Sequence, residues 1–174
     1  LQRIERQVSL SDEVITALTN FARMPVPACT PFDVLACLRE ILQTSAPLKA
    51  YDVIMDFPAE APLAMGDASQ LRIVFDNLIR NAREAMLAGG QLTLAVEQVG
   101  DRIEVSISDT GSGIDSAQVS QVMEPLFSTK TRGLGLGLAI ARSIVEKNQG
   151  SIRISSQKGQ GSTFTVCLRA VPPS

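Results

Sequence analysis

Glycine occupies every second position of Gly133-Leu134-Gly135-Leu136-Gly137-Leu138, and a helical apolar pattern, Leu138 to Val145, begins where the run ends. Alternate glycines ahead of a helix leave backbone N–H groups open at the positive end of the helix dipole, an arrangement suited to phosphate oxygens. Two common architectures are excluded at once. The run does not follow a strand of a βαβ unit, as a dinucleotide-binding fingerprint would, and no Gly-Lys-Ser/Thr closes a Walker loop anywhere in the chain. The glycine loop must be presented by some other frame.

That frame is legible on both sides of the loop. Asp67 precedes a helix whose apolar stripe is Leu71, Val74, Leu78, Ala82 and Ala85; Gln70, three residues on, completes a capping-box pattern, and Gly89-Gly90 ends the helix. Asp33 is placed to cap an earlier helix through Leu35, Leu38, Ile41 and Leu42. Tyr51 to Phe57 alternates as a strand, with Leu63–Met65 as its short partner. Leu92–Val96 and Ile103–Ile107 alternate as two half-buried antiparallel strands, and Ile152–Ser155 with Thr163–Leu168 forms a last hairpin about the Gly159–Gly161 turn. Elements in this order predict an α+β fold: a two-layer α/β sandwich, with a mixed, mostly antiparallel sheet and helices on one face.

The first residues follow another rule. Leu1, Ile4, Val8, Ile15, Leu18 and Ala22, with Ser11 filling the one missing seam position, step by threes and fours, a heptad seam that wants other helices beside it, and Pro25, Pro27 and Pro31 then interrupt the chain. Residues 1–23 therefore read as a bundle helix, 24–31 as a hinge linker and 32–174 as the main domain. The chain opens on Leu1 and contains no histidine, as expected of a piece of a longer protein. With 16 basic and 18 acidic residues and no cluster of cations, it is not expected to track a nucleic-acid backbone. No apolar run is long enough to span a bilayer and no signal peptide is present, so no membrane contact by these residues is expected. Cys29, Cys37 and Cys167 share no ligand spacing and read as reduced thiols of a cytoplasmic protein.

Two further constellations carry chemistry. Asn77 and Asn81 stand one helical turn apart, so both carboxamides project from one face. A carboxamide oxygen is a neutral, hard ligand that suits Mg²⁺ already neutralised by phosphate; the same pair equally suits an ordinary polar helix face. Asp109-Thr110-Gly111-Ser112-Gly113 delivers a carboxylate at the end of a strand, followed by two glycines. An acceptor-only carboxylate can read the exocyclic amine of adenine, and the same residues also suit a tight turn with a helix cap.

Taken in order, these segments resemble the N, G1, F and G2 boxes of sensor histidine-kinase catalytic domains, within the gyrase, heat-shock chaperone, histidine kinase and mismatch-repair ATPase superfamily. The N box is DASQLRIVFDNLIRNAREAM at 67–86, the G1 box DTGSGI at 109–114, the F box EPLFSTK at 124–130 and the G2 box GLGLGLAIARSIVE at 133–146. The tail GSIRISSQKGQGSTFTVCL at 150–168 is similar to that family's last hairpin, and residues 1–23 to the second helix of its dimerisation and phosphoacceptor hairpin. The resemblance implies a Bergerat ATP-binding fold that presents Mg-ATP to a histidine outside this chain, a homodimer through the N-terminal helix, and a response-regulator receiver domain as partner. The full-length protein would be cytoplasmic or membrane-anchored. Residue by residue, it implies that Asn81 coordinates Mg²⁺ and Asn77 lines the phosphate side. Asp109 would accept from the adenine amine, with Gly111 and Gly113 shaping that pocket and Ser162 supporting its adenine end. Lys130 and Arg132 would reach the phosphates from a mobile lid, and Gly133, Gly135, Leu136 and Gly137 would pack around the triphosphate.

The chain departs from the family's pattern at three places. Glu84 follows Asn81 by three residues where some relatives place a basic residue, which would shift phosphate charge onto the lid. Asn148-Gln149-Gly150 stands where His-Gly-Gly is common, a change expected to alter only a turn. The phosphoacceptor histidine is absent. Alternatives from other classes are a non-kinase ATPase of the superfamily and a nucleotide-binding scaffold domain.

Overall fold

A computed structural model describes residues 25–44, 51–60, 62–125, 127 and 135–172 of the chain. The heptad seam of residues 1–23 lies outside the described residues. The elements run β1 (Thr30–Asp33), α1 (Val34–Thr44), β2 (Tyr51–Asp56), β3 (Leu63–Gly66), α2 (Ala68–Ala85), β4 (Gly90–Val99), β5 (Arg102–Asp109), α3 (Ser116–Val119), α4 (Gly137–Lys147), β6 (Ser151–Gln157) and β7 (Gly161–Ala170).

Alternation in β4, β5 and β7 builds the core. Leu94 stands opposite Ile107, which faces Phe164; Val96, Val105 and Val166 form the next rank. All six are buried, in one cluster with Leu35, Leu38 and Ile41 of α1 and Ile144 of α4. The intervening ranks are small and hydroxylic: Ser108 Oγ meets Thr163 Oγ1 at 2.8 Å, and Ser106 Oγ meets Thr165 Oγ1 at 3.0 Å. The helices thus cover one face, as the patterning requires. The sheet order is β1-β3-β7-β5-β4-β2, and β6 and β3 share the second edge of β7. β2 runs parallel to β4 and every other pair is antiparallel.

Leu63–Met65 does not partner the strand at Tyr51. It pairs with β1 on one side and β7 on the other. The reason lies in the connection, since residues 57–62 contain Pro58 and Pro62 and no glycine, the wrong chemistry for a tight hairpin turn. Thr30 and Pro31, inside the stretch read as a hinge, belong to β1 and pair with Gly66 and Met65. A proline is tolerated there because β1 is an edge strand.

Helix α2 runs through the centre of the helical layer, packed on both α1 and α4, so its buried surface is wider than a single stripe and takes in Phe75 and Ile79 as well. Asp67 caps it as expected, with Oδ1 accepting from the N–H groups of Ser69 (3.0 Å) and Gln70 (3.2 Å). The Ser69 hydroxyl, with the N–H groups of Ala28, Gln70 and Ser69, outweighs partial desolvation and holds the Asp67 carboxyl below its ordinary range. Its contribution to stability is therefore present at neutral pH and lost as pH falls through that lowered value.

The reciprocal half of the capping box is replaced. Gln70 does not reach back to Asp67; its Nε2 donates to the carbonyl of Pro25 at 2.9 Å. The Asp67 N–H donates instead to Asn148 Oδ1 at 2.7 Å, and Asn148 Nδ2 donates to the Ile144 carbonyl at 2.9 Å. Asn148 is 2% exposed and ties the end of α4 to the start of α2. The expectation that this position alters only a turn is corrected by that network. Replacing Asn148 by Ala leaves the Asp67 N–H and the Ile144 carbonyl without these partners, so a loss of about 1–3 kcal/mol is expected in urea unfolding. An unchanged midpoint would remove Asn148 from this role.

Candidate functional site

The last turns of α2 connect the separated motifs. Asn77, Asn81 and Ala85 lie four residues apart and form one polar-to-small stripe. At its far end, a Cβ placed on Gly111 would stand 2.6 Å from the Ala85 carbonyl oxygen, and the Ser112 N–H donates to that oxygen at 3.1 Å. Only glycine permits the contact. At its near end, a Cβ placed on Gly137 would meet Asn77 Oδ1 at 3.6 Å, so the first turn of α4 rests on the buried Asn77. Half-buried Asn81 stands between the two. The helix therefore joins the glycine loop after β5 to the glycine run before α4.

Asp109 closes β5 opposite Ser162 of β7, on the core-facing side of the sheet. Both are 6% exposed. Asp109 Oδ1 accepts from the Gly111 N–H at 2.8 Å, which fixes the carboxylate against its own loop. The loop is held from three further directions. The Thr110 N–H donates to the Gln91 carbonyl at 3.2 Å, with Thr110 Oγ1 accepting from the Gln91 N–H at 3.0 Å. Ser156 Oγ accepts from the Ile114 N–H at 2.8 Å and lies 2.9 Å from Ser162 Oγ. The Gly159 N–H donates to the Ser112 carbonyl at 2.7 Å, and Gly113 has φ +61° with no room for a Cβ, which would meet the Gln157 carbonyl oxygen at 2.0 Å.

Gly135 takes φ +65° and the buried Leu136 stands at the N-cap of α4, with no side-chain hydrogen bond capping the helix. Among the described residues, the N-cap position thus gives the first-turn N–H groups of α4 no side-chain partner. Lys130, Arg132 and Gly133 lie outside the described residues. Asn77, Asn81, Asp109, Gly111, Gly113, Gly135, Leu136, Gly137 and Ser162 are the predicted site residues that are described. Ser156 and Thr110 were missed. Ser156 had a signal: it continues the core-facing phase of Ile152 and Ile154 with a polar residue.

Among the described residues, no three His, Cys, Asp or Glu side chains converge on a metal position. A divalent ion here would rest on carboxamide oxygen and on oxygens its ligand brings, a donor set that suits Mg²⁺. Asn81 on the α2 stripe fits it. A groove of about 460 Å³ lies at the other end of α2, between α1 and its first turn, lined by Cys37, Glu40 and Arg72 among others. There Arg72 is paired with Glu40 at 2.7 Å, and burial pushes the Cys37 thiol up to about 11, which keeps it protonated and unreactive at neutral pH. The groove holds none of the predicted site residues. Among the described residues, no helix is long and apolar enough to cross a membrane.

The sequence profile of the histidine kinase-, DNA gyrase B- and HSP90-like ATPases matches residues 66–172. Sporulation kinase C of Bacillus subtilis is 34% identical over 137 residues, covering 78% of this chain and 32% of that protein. Sensor histidine kinase ZraS of Escherichia coli is 30% identical, covering 96% of this chain and 37% of that protein. The chain thus spans about a third of the length of these two relatives. In fold it is similar to a mycobacterial sensor histidine kinase, MprB (TM-score 0.75, 24% identity, 84% of this chain and 100% of that one). It is also similar to full-length ShkA, solved in complex with AMPPNP (TM-score 0.79, 22% identity, 97% of this chain and 37% of that one).

The glycines of the β6–β7 turn separate two costs. Gly159 (φ +80°) has nothing within 4 Å of an added Cβ, whereas at Gly161 (φ +103°) the Cβ would lie 1.9 Å from the Asp109 carbonyl oxygen. Gly159→Ala should therefore lose only the left-handed strain, about 1–2 kcal/mol. Gly161→Ala should lose clearly more and shift the amide resonances of residues 109–113. Equal losses in denaturant unfolding would contradict the close approach of the turn to Asp109.

Proposed function

Because the chain belongs to the histidine kinase-, DNA gyrase B- and HSP90-like ATPase family, we propose that the domain beginning at β1, residues 30–174, is the catalytic, ATP-binding domain of a two-component sensor histidine kinase. The observation that carries the reading is the single α2 stripe that joins Asn77 at Gly137 to Ala85 at Gly111. In this reading adenine enters beside the loop after β5, where Asp109 accepts from its exocyclic amine. Gly111 and Gly113 shape that pocket by letting the loop pack against the Ala85 and Gln157 carbonyls, and Ser162 supports the Asp109 end through Ser156. The phosphates extend toward α4, whose first turn, with Gly133, Gly135, Leu136 and Gly137, lends N–H groups and dipole, while Lys130 and Arg132 reach them from the lid.

Asn81 would hold Mg²⁺, with Asn77 lining the phosphate side. When bound, the ion neutralises phosphate charge. Phosphoryl transfer asks little covalent chemistry of the protein; it needs charge neutralisation and an in-line acceptor. With no histidine among its 174 residues, the chain itself holds no acceptor of that kind. The acceptor would lie on a helix paired with residues 1–23 in a homodimeric bundle, from which a response-regulator receiver domain takes the phosphoryl group in the cytoplasm.

Calorimetry with ADP, with and without Mg²⁺, tests the assignment. Asp109→Asn should lose about tenfold to hundredfold in affinity under both conditions, since the amide can turn a donor toward the adenine amine. Asn81→Ala should lose affinity only when Mg²⁺ is present. Wild-type protein showing no heat at millimolar nucleotide would overturn the reading, and an Asn81→Ala defect unchanged by EDTA would make Asn81 structural.

A further inference from the structure

Arg80 stands on the same face of α2, one turn beyond Asn77 and next to Asn81, yet no motif reading assigns it a role. Its Nη2 donates to Asn77 Oδ1. The same nitrogen lies 3.7 Å from where a Cβ on Gly137 would stand, so the guanidinium sits against the first turn of α4. Other arginines of α2 are engaged elsewhere. Arg83 lies over the Tyr51 ring at 5.9 Å, and Arg72 is paired with Glu40 at 2.7 Å. Arg142 of α4 is paired with Glu146 at 2.9 Å.

A cation at a helix N-terminus is electrostatically unfavourable, because the helix dipole places partial positive charge there and favours acidic neighbours. Here a guanidinium and the positive end of α4 are held together, with Leu136 at the N-cap contributing no oxygen. An anion lying between them would relieve the conflict. A guanidinium has five donors in a planar fork that matches phosphate oxygens, and one of them is committed to Asn77.

We propose that Arg80 is a phosphate-contacting residue of the nucleotide site, its guanidinium bridging the Asn77 carboxamide to the phosphates beyond the α-phosphate. The proposal rests on the nucleotide reading above and extends it. Arg80 thereby places a positive charge on the helix side of the site, independent of the lid cations Lys130 and Arg132. It also orders Asn77, whose carboxamide cannot turn while its oxygen accepts from the fork.

The test is a set of dissociation constants for ATP, ADP and AMP, measured with Mg²⁺ by calorimetry, with competition for the weakest. Arg80→Gln keeps a donor for Asn77 and removes the charge. Because Arg80 is exposed, its unfolding transition should match wild type. Arg80→Gln should weaken ATP and ADP by about tenfold or more, the range of a charge-assisted bond, and leave AMP within about twofold. Arg80→Lys, which keeps the charge and loses the fork, should fall between. Equal weakening of all three nucleotides would show that Arg80 acts only by supporting the local fold, and no change in any would remove it from the site; either result overturns the proposal. Wild-type protein that binds none of the three overturns the nucleotide reading itself, and this proposal with it.

Discussion

The Ser112 N–H donates to the Ala85 carbonyl, and Gly111 has no Cβ to stand in the way. Through this contact the end of α2 sits directly on the loop that follows β5. It adds to the packing of α2 on β5 a direct tie between the helix face bearing Asn77, Arg80 and Asn81 and the loop of Asp109. The loop in turn is fixed by β4 through Thr110 and by the β6–β7 turn through Ser112 and Gly159. Backbone polar groups in a loop packed this closely need partners, and here neighbouring strands provide them. The site is thus assembled by backbone approach, with glycine wherever a side chain would intervene.

The division of labour follows from the layers. The sheet side is held by register: Asp109 and Ser162 face each other at the ends of two long strands, and Ser156 links Ser162 to the loop. The helix side is a different kind of surface, made by one face of α2 and the start of α4, both held at their far ends by Asn148. Asn148 also lies near the residues preceding β1, because Asp67 and Gln70, its neighbours, bond to Ala28 and Pro25. The stretch leading into the domain is therefore fastened to the same two helices that frame the site, at the ends remote from it.

Features set by local chemistry were legible in the sequence. The Asp67 cap, the alternation of β4, β5 and β7, the last hairpin and the glycine-bearing loops each carry their own signal within a few residues. Features decided by distant partners were not. Nothing within Leu63–Met65 says that it pairs with β1 and β7, and the parallel course of β2 along β4 depends on the whole sheet. Gln70 has the spacing of a capping box, yet its amide is taken by Pro25 because Asn148 already satisfies the Asp67 N–H. Phe75 and Ile79 fell outside the expected stripe because α2 is buried on more sides than one sheet would require. The candidate site shows the same split: motif spacing located most of its residues and Ser156 carried the signal of a polar residue in a core-facing phase, while Arg80 became visible only from the contacts it makes.

In the proposed site, one helix face joins the two glycine loops around a single nucleotide. Amide chemical-shift mapping during titration with Mg-ADP probes both ends at once. Perturbations are expected at Gly111 and Gly113 at one end and at Asn77, Asn81 and Gly137 at the other, all saturating with one dissociation constant. Shifts concentrated in the groove around Cys37 and Arg72, or two ends that saturate independently, would rule out a single site of this kind.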